Sequence, residues 1–365
     1  MHQGRSLNEV AQELTRRQTA RKDYRADNPH MRMILGDSEH ASAPRFALTT
    51  KVGEQDFAMR PRFHQQLAGS LKIPKQYYDR MLTEQPALLA QNVNTWFNAT
   101  PDGRHLVRTL DGSARAFLSP RYRILDAHLV AEAALPVLFD TDGIEVRSCE
   151  MTEENFYLQA VWPRLEGEIR QGEVVQAGVT ISTNEVGAGA VKIEPLVFVL
   201  ACLNGMITSR SLKRHHVGRP LLDVEGGSAV EIFADDTRRS ADITFAKQIR
   251  DVVKNAFDEA AFRGSILSLQ AAADDPLSTT GDYVAAVGAV AEEVNLTQGE
   301  QHGVLQRLME GRDYTRWGMS NAITAEANDT ESYDRAVELE RIGGQVIIMP
   351  PNTWGRVQEA TVTAA

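Results

Sequence analysis

The chain has 365 residues, 42% of them hydrophobic, and a formal net charge of −10. This length allows one large domain or two ordinary ones around a substantial core. The first residues form no apolar signal segment, and no run of about eighteen apolar residues occurs, so we expect a cytoplasmic protein without membrane insertion.

Cysteine usage points to a reducing compartment. Only Cys149 and Cys202 are present, and neither belongs to a CxxC pair, so a disulfide framework is excluded. Cys202 ends the apolar run VFVLAC, which is typical of a buried strand. We therefore expect two buried, reduced thiols.

Charge is distributed unevenly along the chain. Residues 1–130 carry 19 Lys and Arg against 13 Asp and Glu, whereas residues 131–365 carry 20 against 36. Such asymmetry is typical of a basic binding portion joined to an acidic one. A solvated acidic surface without a nucleic-acid partner is the alternative.

The first half of the chain opens with a helix. Residues 6–22 have Ser6 as N-cap and Glu9 three positions later, a capping box, and the second half of this helix is strongly cationic. Residues 45–52 are typical of a strand, and two short helices follow, opened by Pro61 and Pro74.

A hairpin and a strand-rich block come next. Residues 104–126 alternate on both sides of Asp111-Gly112, which suits a tight turn, and residues 128–140 indicate a helix. Four segments between 144 and 203 are rich in β-branched and aromatic residues and predict one extended antiparallel sheet. The GAGA stretch at 187–190 predicts a turn, because it joins two strands rather than opening a helix.

From about residue 234 onward the pattern becomes helical. Helices are predicted over 243–262, over 284–294 and over 334–344, where Gly343-Gly344 suits a C-cap. The fold class is therefore α+β, with a central antiparallel sheet, flanking helices and a helical C-terminal portion. The predicted divisions are an N-terminal helix and basic arm (1–44), a strand-rich core (45–225), an acidic helical portion (226–356) and a tail (357–365).

Residues 201–219, ACLNGMITSRSLKRHHVGR, allow three kinds of site. Zinc needs three or four ligands, and adjacent histidines on an extended chain point to opposite faces, so His215 and His216 are poorly arranged for it. A Cys202 and His215 nucleophile pair is disfavoured, because a thiol in a buried strand is unreactive. A cationic phosphate-binding surface is favoured over both, and a solvated loop that contacts nothing remains the alternative.

The hairpin strengthens the cationic interpretation. Tyr122 lies between Arg121 and Arg123 and is expected to offer a stacking face for a base, unless it anchors the core. The candidate nucleic-acid-binding residues are Arg115, Arg121, Tyr122, Arg123, Arg210, Lys213, Arg214, His215, His216 and Arg219.

Several blocks, in this order, resemble a phage- and plasmid-associated family known as domain of unknown function 932. They are ARAFLSPRYRILD, VQAGVTISTNEVGAGAVKIEPLVFVLACLNGMI, RHHVGR and WGMSNAITAEANDTESYDRAVELERIGG, which lie between residues 114 and 344. The resemblance as a whole covers roughly residues 45–345, most of the chain. The resemblance implies a phage or mobile-element setting. More distantly, the strand and helix arrangement looks like that of phage single-strand annealing proteins of the Red-beta and RecT kind.

These observations favour single-stranded DNA binding and annealing in recombination and repair, by a homo-oligomer without catalytic activity, metal or cofactor. A non-enzymatic structural or protein-interaction protein of a phage or plasmid is the alternative. A metal- or thiol-dependent enzyme is the third choice.

Overall fold

A computed structural model describes residues 1–36, 43–208, 212–214, 235–277 and 281–362 of the chain. It confirms the α+β class, with two six-stranded sheets in place of one central sheet. The first sheet contains β1 (Lys22–Asp27), β2 (Met31–Leu35), β3 (Pro44–Thr50), β4 (Gly53–Met59), β5 (Arg104–Leu110) and β6 (Ser113–Leu118). The second contains β7 (Glu145–Met151), β8 (Asn155–Glu168), β9 (Val174–Asn184), β10 (Val191–Val199), β11 (Asn204–Ile207) and β12 (Leu212–Arg214).

Helices precede, join and follow the sheets. The first five are α1 (Leu7–Ala20), α2 (Pro61–Ser70), α3 (Lys75–Glu84), α4 (Pro86–Ala99) and α5 (Ala127–Asp140). Those after the second sheet are α6 (Asp235–Asn255), α7 (Glu259–Ala273), α8 (Tyr283–Val294), α9 (Gln298–Gly311), α10 (Arg316–Glu326), α11 (Tyr333–Ile347) and α12 (Pro351–Ala360). None of the described helices is long and apolar enough to cross a membrane.

Local signals determined several elements as predicted. Ser6 and Glu9 form the reciprocal capping box that begins α1. Asp111 and Gly112 both adopt positive φ, at 51° and 71°, and close the β5–β6 hairpin. Pro61 occupies the first turn of α2, and Pro74 is the N-cap of α3.

The first sheet has the order β1-β5-β6-β4-β3-β2, in which β4 and β6 are parallel and the other pairs antiparallel. Residues 1–44 supply its two edge strands, β1 and β2, in addition to α1. Helices α2, α3 and α4 cover one face of the sheet, where Phe46, Phe63 and Phe117 pack edge to face.

The second sheet is antiparallel between all its described strands, in agreement with the sequence. One face packs on α5 and α6, and the opposite face places Tyr157 and Leu196 against Tyr333 and Val337 of α11. Helices α8 to α12 share a further core. The predicted division near residue 225 lies outside the described residues.

Three local predictions are wrong. The helix predicted over 243–262 is interrupted after Asn255, because Asp258 caps a new helix by accepting a hydrogen bond from the Ala261 amide at 2.8 Å. Helix α11 continues through Gly343 and Gly344 to Ile347. A Cβ on Gly344 would lie 1.9 Å from the Ile207 carbonyl oxygen, so this glycine serves close packing instead of a C-cap.

The third wrong prediction is the expected burial of Cys202. Strand β10 ends at Val199, and the chain turns through residues 201–203 with Leu203 at φ 51°, which exposes the Cys202 side chain. Cys149 is buried in β7, as predicted.

Candidate anion-binding site

A cavity of about 240 Å³ opens where α1, the β5–β6 hairpin and the turn between β7 and β8 meet. It is lined by Arg16, Arg17, Arg60, Leu110, Asp111, Arg115 and Glu153, and we call it the arginine cavity. The lining thus contains four arginines and two acidic residues, and two further carboxylates, those of Glu13 and Glu185, pair with these arginines from beside the cavity.

Three different elements position the four arginines. Arg16 and Arg17 lie in the second half of α1, whose capping box fixes the start of the helix. Arg60 is the N-cap of α2 and donates its backbone N–H to the Ala114 carbonyl at 2.9 Å. Arg115 projects from β6 towards the second sheet, where it contacts Glu185 and the Glu153 carbonyl.

The cavity has a fixed floor. The side chains of Arg17 and Arg115 are only 12% and 6% exposed. Arg17 donates to the Thr152 carbonyl at 2.9 Å, and Arg115 donates to the Glu153 carbonyl at 2.8 Å. Burial, together with the nearby cations Arg17 and Arg108, lowers the pKa of Arg115 despite its Glu185 partner.

The rim is more exposed. The side chains of Arg16 and Arg60 are 47% and 50% exposed. Arg16 donates to both Asp111 oxygens, at 2.7 and 3.0 Å, and to Glu13, whereas Arg60 approaches Glu153 only to 3.5 Å. Hydrogen bonds from Arg16, and then from Arg17, lower the pKa of Glu13 to about 2, so Glu13 is ionised at neutral pH.

Beneath the cavity, a buried ionic network joins the two sheets. Arg108 of β5 donates to Asp23 at 2.9 Å, to Asp126 at 2.7 Å and to the Glu185 carbonyl at 2.7 Å. Asp126 also pairs with Arg21. Glu185 in turn accepts hydrogen bonds from Arg115 and from the Ala127 amide. Such mutual pairing compensates buried charges and holds the cavity floor in a defined geometry.

The residues predicted from the sequence to bind nucleic acid lie in different environments in the structure. Arg115 lies in the arginine cavity as a buried floor residue. Tyr122 is buried with Leu106, Leu118 and Val186, which is the core-anchor alternative and corrects the expectation of an exposed stacking face. Its ring packs between residues of the β5–β6 hairpin and Val186, which follows β9. Arg121 is exposed on that loop, and Arg123 is half-buried.

The basic run after β11 is described only in part. Lys213 and Arg214 belong to β12, whose backbone pairs with Lys192 and Val191 of β10. Arg210, His215, His216 and Arg219 lie outside the described residues. The ladder Tyr157–Ser182–Lys192–Lys213 places β12 three strand spacings from β8, roughly 14 Å. Glu153 lies just before β8 at this same end of the second sheet, so the cavity and β12 lie at the same end of this sheet.

Arg16, Arg17 and Arg60 were missed among the site residues. The cationic second half of α1 was the available signal, but nothing in the sequence joins residues 16 and 17 to residue 60. In the part of the chain that the structure describes, no group of three or more His, Cys, Asp and Glu residues is placed to hold a metal ion.

Fold and site together define an α+β protein with two six-stranded sheets and an arginine-lined cavity at their junction. Neither protein-family models, nor curated proteins, nor solved structures gave a match to this chain.

Proposed function

We propose that the protein binds single-stranded DNA, with the arginine cavity as a phosphate-binding site and the basic run from Arg210 to Arg219 as a second contact region. The observation that carries the proposal is the convergence of four arginines from three separate parts of the chain on one cavity. Arginine presents forked N–H donors that match phosphate oxygens, and phosphate contacts supply most of the sequence-independent affinity for nucleic acid.

The uneven charge of the chain is compatible with this proposal. All the arginines of the cavity belong to the first 130 residues, which carry the positive excess, although the whole chain has a charge of −10. Local potential, and not net charge, governs the approach of a polyanion to a cleft. The exposed Arg121 adds a further cation after the same hairpin.

The proposed biological role is annealing in recombination and repair within a phage or mobile-element setting. It rests on the ordered blocks that resemble the domain of unknown function 932 family and on the more distant likeness to Red-beta and RecT proteins. The protein would act in the cytoplasm as a homo-oligomer, because annealing holds a strand along several protomers. It would act by binding, without catalysis or a cofactor.

The competing explanation is that the arginines only hold the two sheets together. Every arginine of the cavity has an acidic partner in the structure, which is what a purely structural or protein-interaction role requires. A binding titration separates the two explanations. Labelled single- and double-stranded oligonucleotides of about 20 nucleotides should be titrated by fluorescence anisotropy at several salt concentrations. Tighter binding of the single strand, weakening steeply with salt, supports the proposal, whereas no binding at low salt rejects it.

A further inference from the structure

The arginine cavity is too small to follow a strand of several nucleotides. Its volume of about 240 Å³ lies below the roughly 300–1,000 Å³ that is typical of pockets for drug-sized ligands. This space admits one phosphate group and part of a sugar. The buried floor formed by Arg17 and Arg115 closes its inner end, so a chain that enters there has no path onward beneath it.

The donors of the cavity suit a terminal phosphate better than an internal one. Four arginines line the cavity, and four carboxylates pair with them: Asp111 and Glu153 in the lining, and Glu13 and Glu185 beside it. An internal phosphodiester carries one negative charge, whereas a terminal phosphomonoester carries about −1.5 to −2 at pH 7 and has three strong acceptor oxygens. A terminal phosphate therefore offers the four guanidinium groups more acceptor oxygens and more negative charge, and it competes better with the carboxylates that pair with them.

The ion pair between Arg60 and Glu153 can be replaced by a contact between Arg60 and a phosphate group. The contact between Arg60 and Glu153 is long, at 3.5 Å, and both side chains are at least half exposed, so it contributes little to stability. The Glu153 carboxylate is free to turn into solvent while its backbone carbonyl keeps its hydrogen bond from Arg115. Arg60 would then be available to an incoming phosphate.

We propose that the arginine cavity takes the terminal phosphate of a nucleic-acid strand, with Arg17 and Arg115 as its fixed floor and Arg16 and Arg60 as its movable rim. The source of the phosphate rests on the proposed function; the recognition of a phosphomonoester rests on the cavity alone. In this role Glu153 competes with the ligand for Arg60 instead of assisting it.

The test uses the full chain and three oligonucleotides of one sequence: 5′-phosphorylated, 3′-phosphorylated and without a terminal phosphate. Anisotropy titrations at low salt should show about tenfold tighter binding when one end carries the phosphate. Arg60→Ala should remove most of this preference, whereas Arg80→Ala, which replaces an exposed arginine outside the cavity, should leave both the preference and the affinity for the unphosphorylated strand within about twofold of the wild type. Glu153→Gln should increase the preference, because it removes the competing charge. If Glu153 had only a structural role, Glu153→Gln would not increase the preference for the phosphorylated strand.

Inorganic phosphate separates this inference from the proposed function. It should raise the melting temperature of the wild type, compared with chloride at equal ionic strength, and Arg60→Ala should reduce the rise. If phosphate stabilises the protein but no oligonucleotide binds, the site stands and the proposed function fails. If oligonucleotides bind with equal affinity whether or not they are phosphorylated, in the wild type, in Arg60→Ala and in Glu153→Gln, the inference is overturned and the proposed function stands.

Discussion

Replacing Glu340 with glutamine should change how the stability of the protein depends on pH. Glu340 lies on α11, is 1% exposed and accepts a hydrogen bond from the Gln159 side chain. Burial raises the pKa of this carboxyl from the ordinary 4.5 to about 7, although the Met1 amino group, Gln159 and Arg341 act in the opposite direction. The folded protein therefore holds this proton more tightly than the unfolded chain does.

The sign and size of the effect follow from linkage. Because the pKa is raised in the folded state, the stabilisation is complete below about pH 4.5 and is lost as the pH rises through about 7. A shift from 4.5 to about 7 corresponds to about 3 kcal/mol in the free energy of unfolding. Glutamine resembles the protonated acid in shape and stays neutral. Glu340→Gln should thus be close to neutral at about pH 5 and stabilising, by up to about 3 kcal/mol, at about pH 8.

Urea unfolding followed by circular dichroism at about pH 5 and pH 8 measures this difference for the wild type and the variant. The exposed Glu84→Gln variant is the control, since it should shift the two midpoints little at either pH. If Glu340→Gln changed stability by the same amount at both pH values, the carboxyl would not be titrating within the fold and the reasoning would be refuted.

Three further predictions concern the junction, the packing and the thiols. Arg108→Ala should lower the free energy of unfolding in urea by about 3 to 5 kcal/mol, because it removes one partner of the buried Asp126, whereas Arg80→Ala on an exposed helix should change it by no more than about 0.5 kcal/mol. A small effect of Arg108→Ala would contradict a structural role for the buried network. Gly344→Ala should be destabilising, because the added Cβ would lie 1.9 Å from the Ile207 carbonyl oxygen. Gly264→Ala in α7, where the added Cβ meets nothing within 4 Å, should instead stabilise the protein by roughly 0.5 to 1 kcal/mol. Similar melting temperatures for the two variants would show that α11 is not packed as described. A thiol reagent should modify Cys202 in the native protein and Cys149 only after unfolding, so Cys202→Ser should abolish the reaction of the native protein. Two reactive thiols in the native protein would contradict the burial of Cys149.

The sequence predicted the elements whose cause is local. The capping box of Ser6 and Glu9, the turn at Asp111-Gly112 and the proline-led helices are each determined by a few neighbouring residues, and each formed as expected. Gly343-Gly344 shows the limit of such signals. A glycine pair suits both a C-cap and the close approach of two backbones, and only the position of β11 beside α11 decides between them.

The candidate site was less predictable because its cause is tertiary. Arg115 and Tyr122 lie on an alternating, cationic hairpin, a pattern that does not reveal that the second sheet and the following loop cover both side chains. The pairing of β1 with β5 and the parallel contact of β4 with β6 join segments distant in sequence. These pairings, together with the packing of α1 beside β7, bring Arg16 and Arg17 close to Arg60. No sequence motif predicts that these residues lie close together.

Phosphate binding in the arginine cavity should be measured through the salt dependence of single-strand binding by the double variant Arg16→Ala/Arg60→Ala. Both side chains are about half exposed, so folding should survive, and the matched control is Arg80→Ala/Arg263→Ala on exposed faces of α3 and α7. A single strand releases about 0.7 counterions per neutralised phosphate, and the cavity admits one phosphate group. The slope of log affinity against log salt should therefore become shallower by up to about 0.7 in the cavity variant and stay unchanged in the control. A folded cavity variant with the affinity and slope of the wild type would contradict phosphate binding in this cavity.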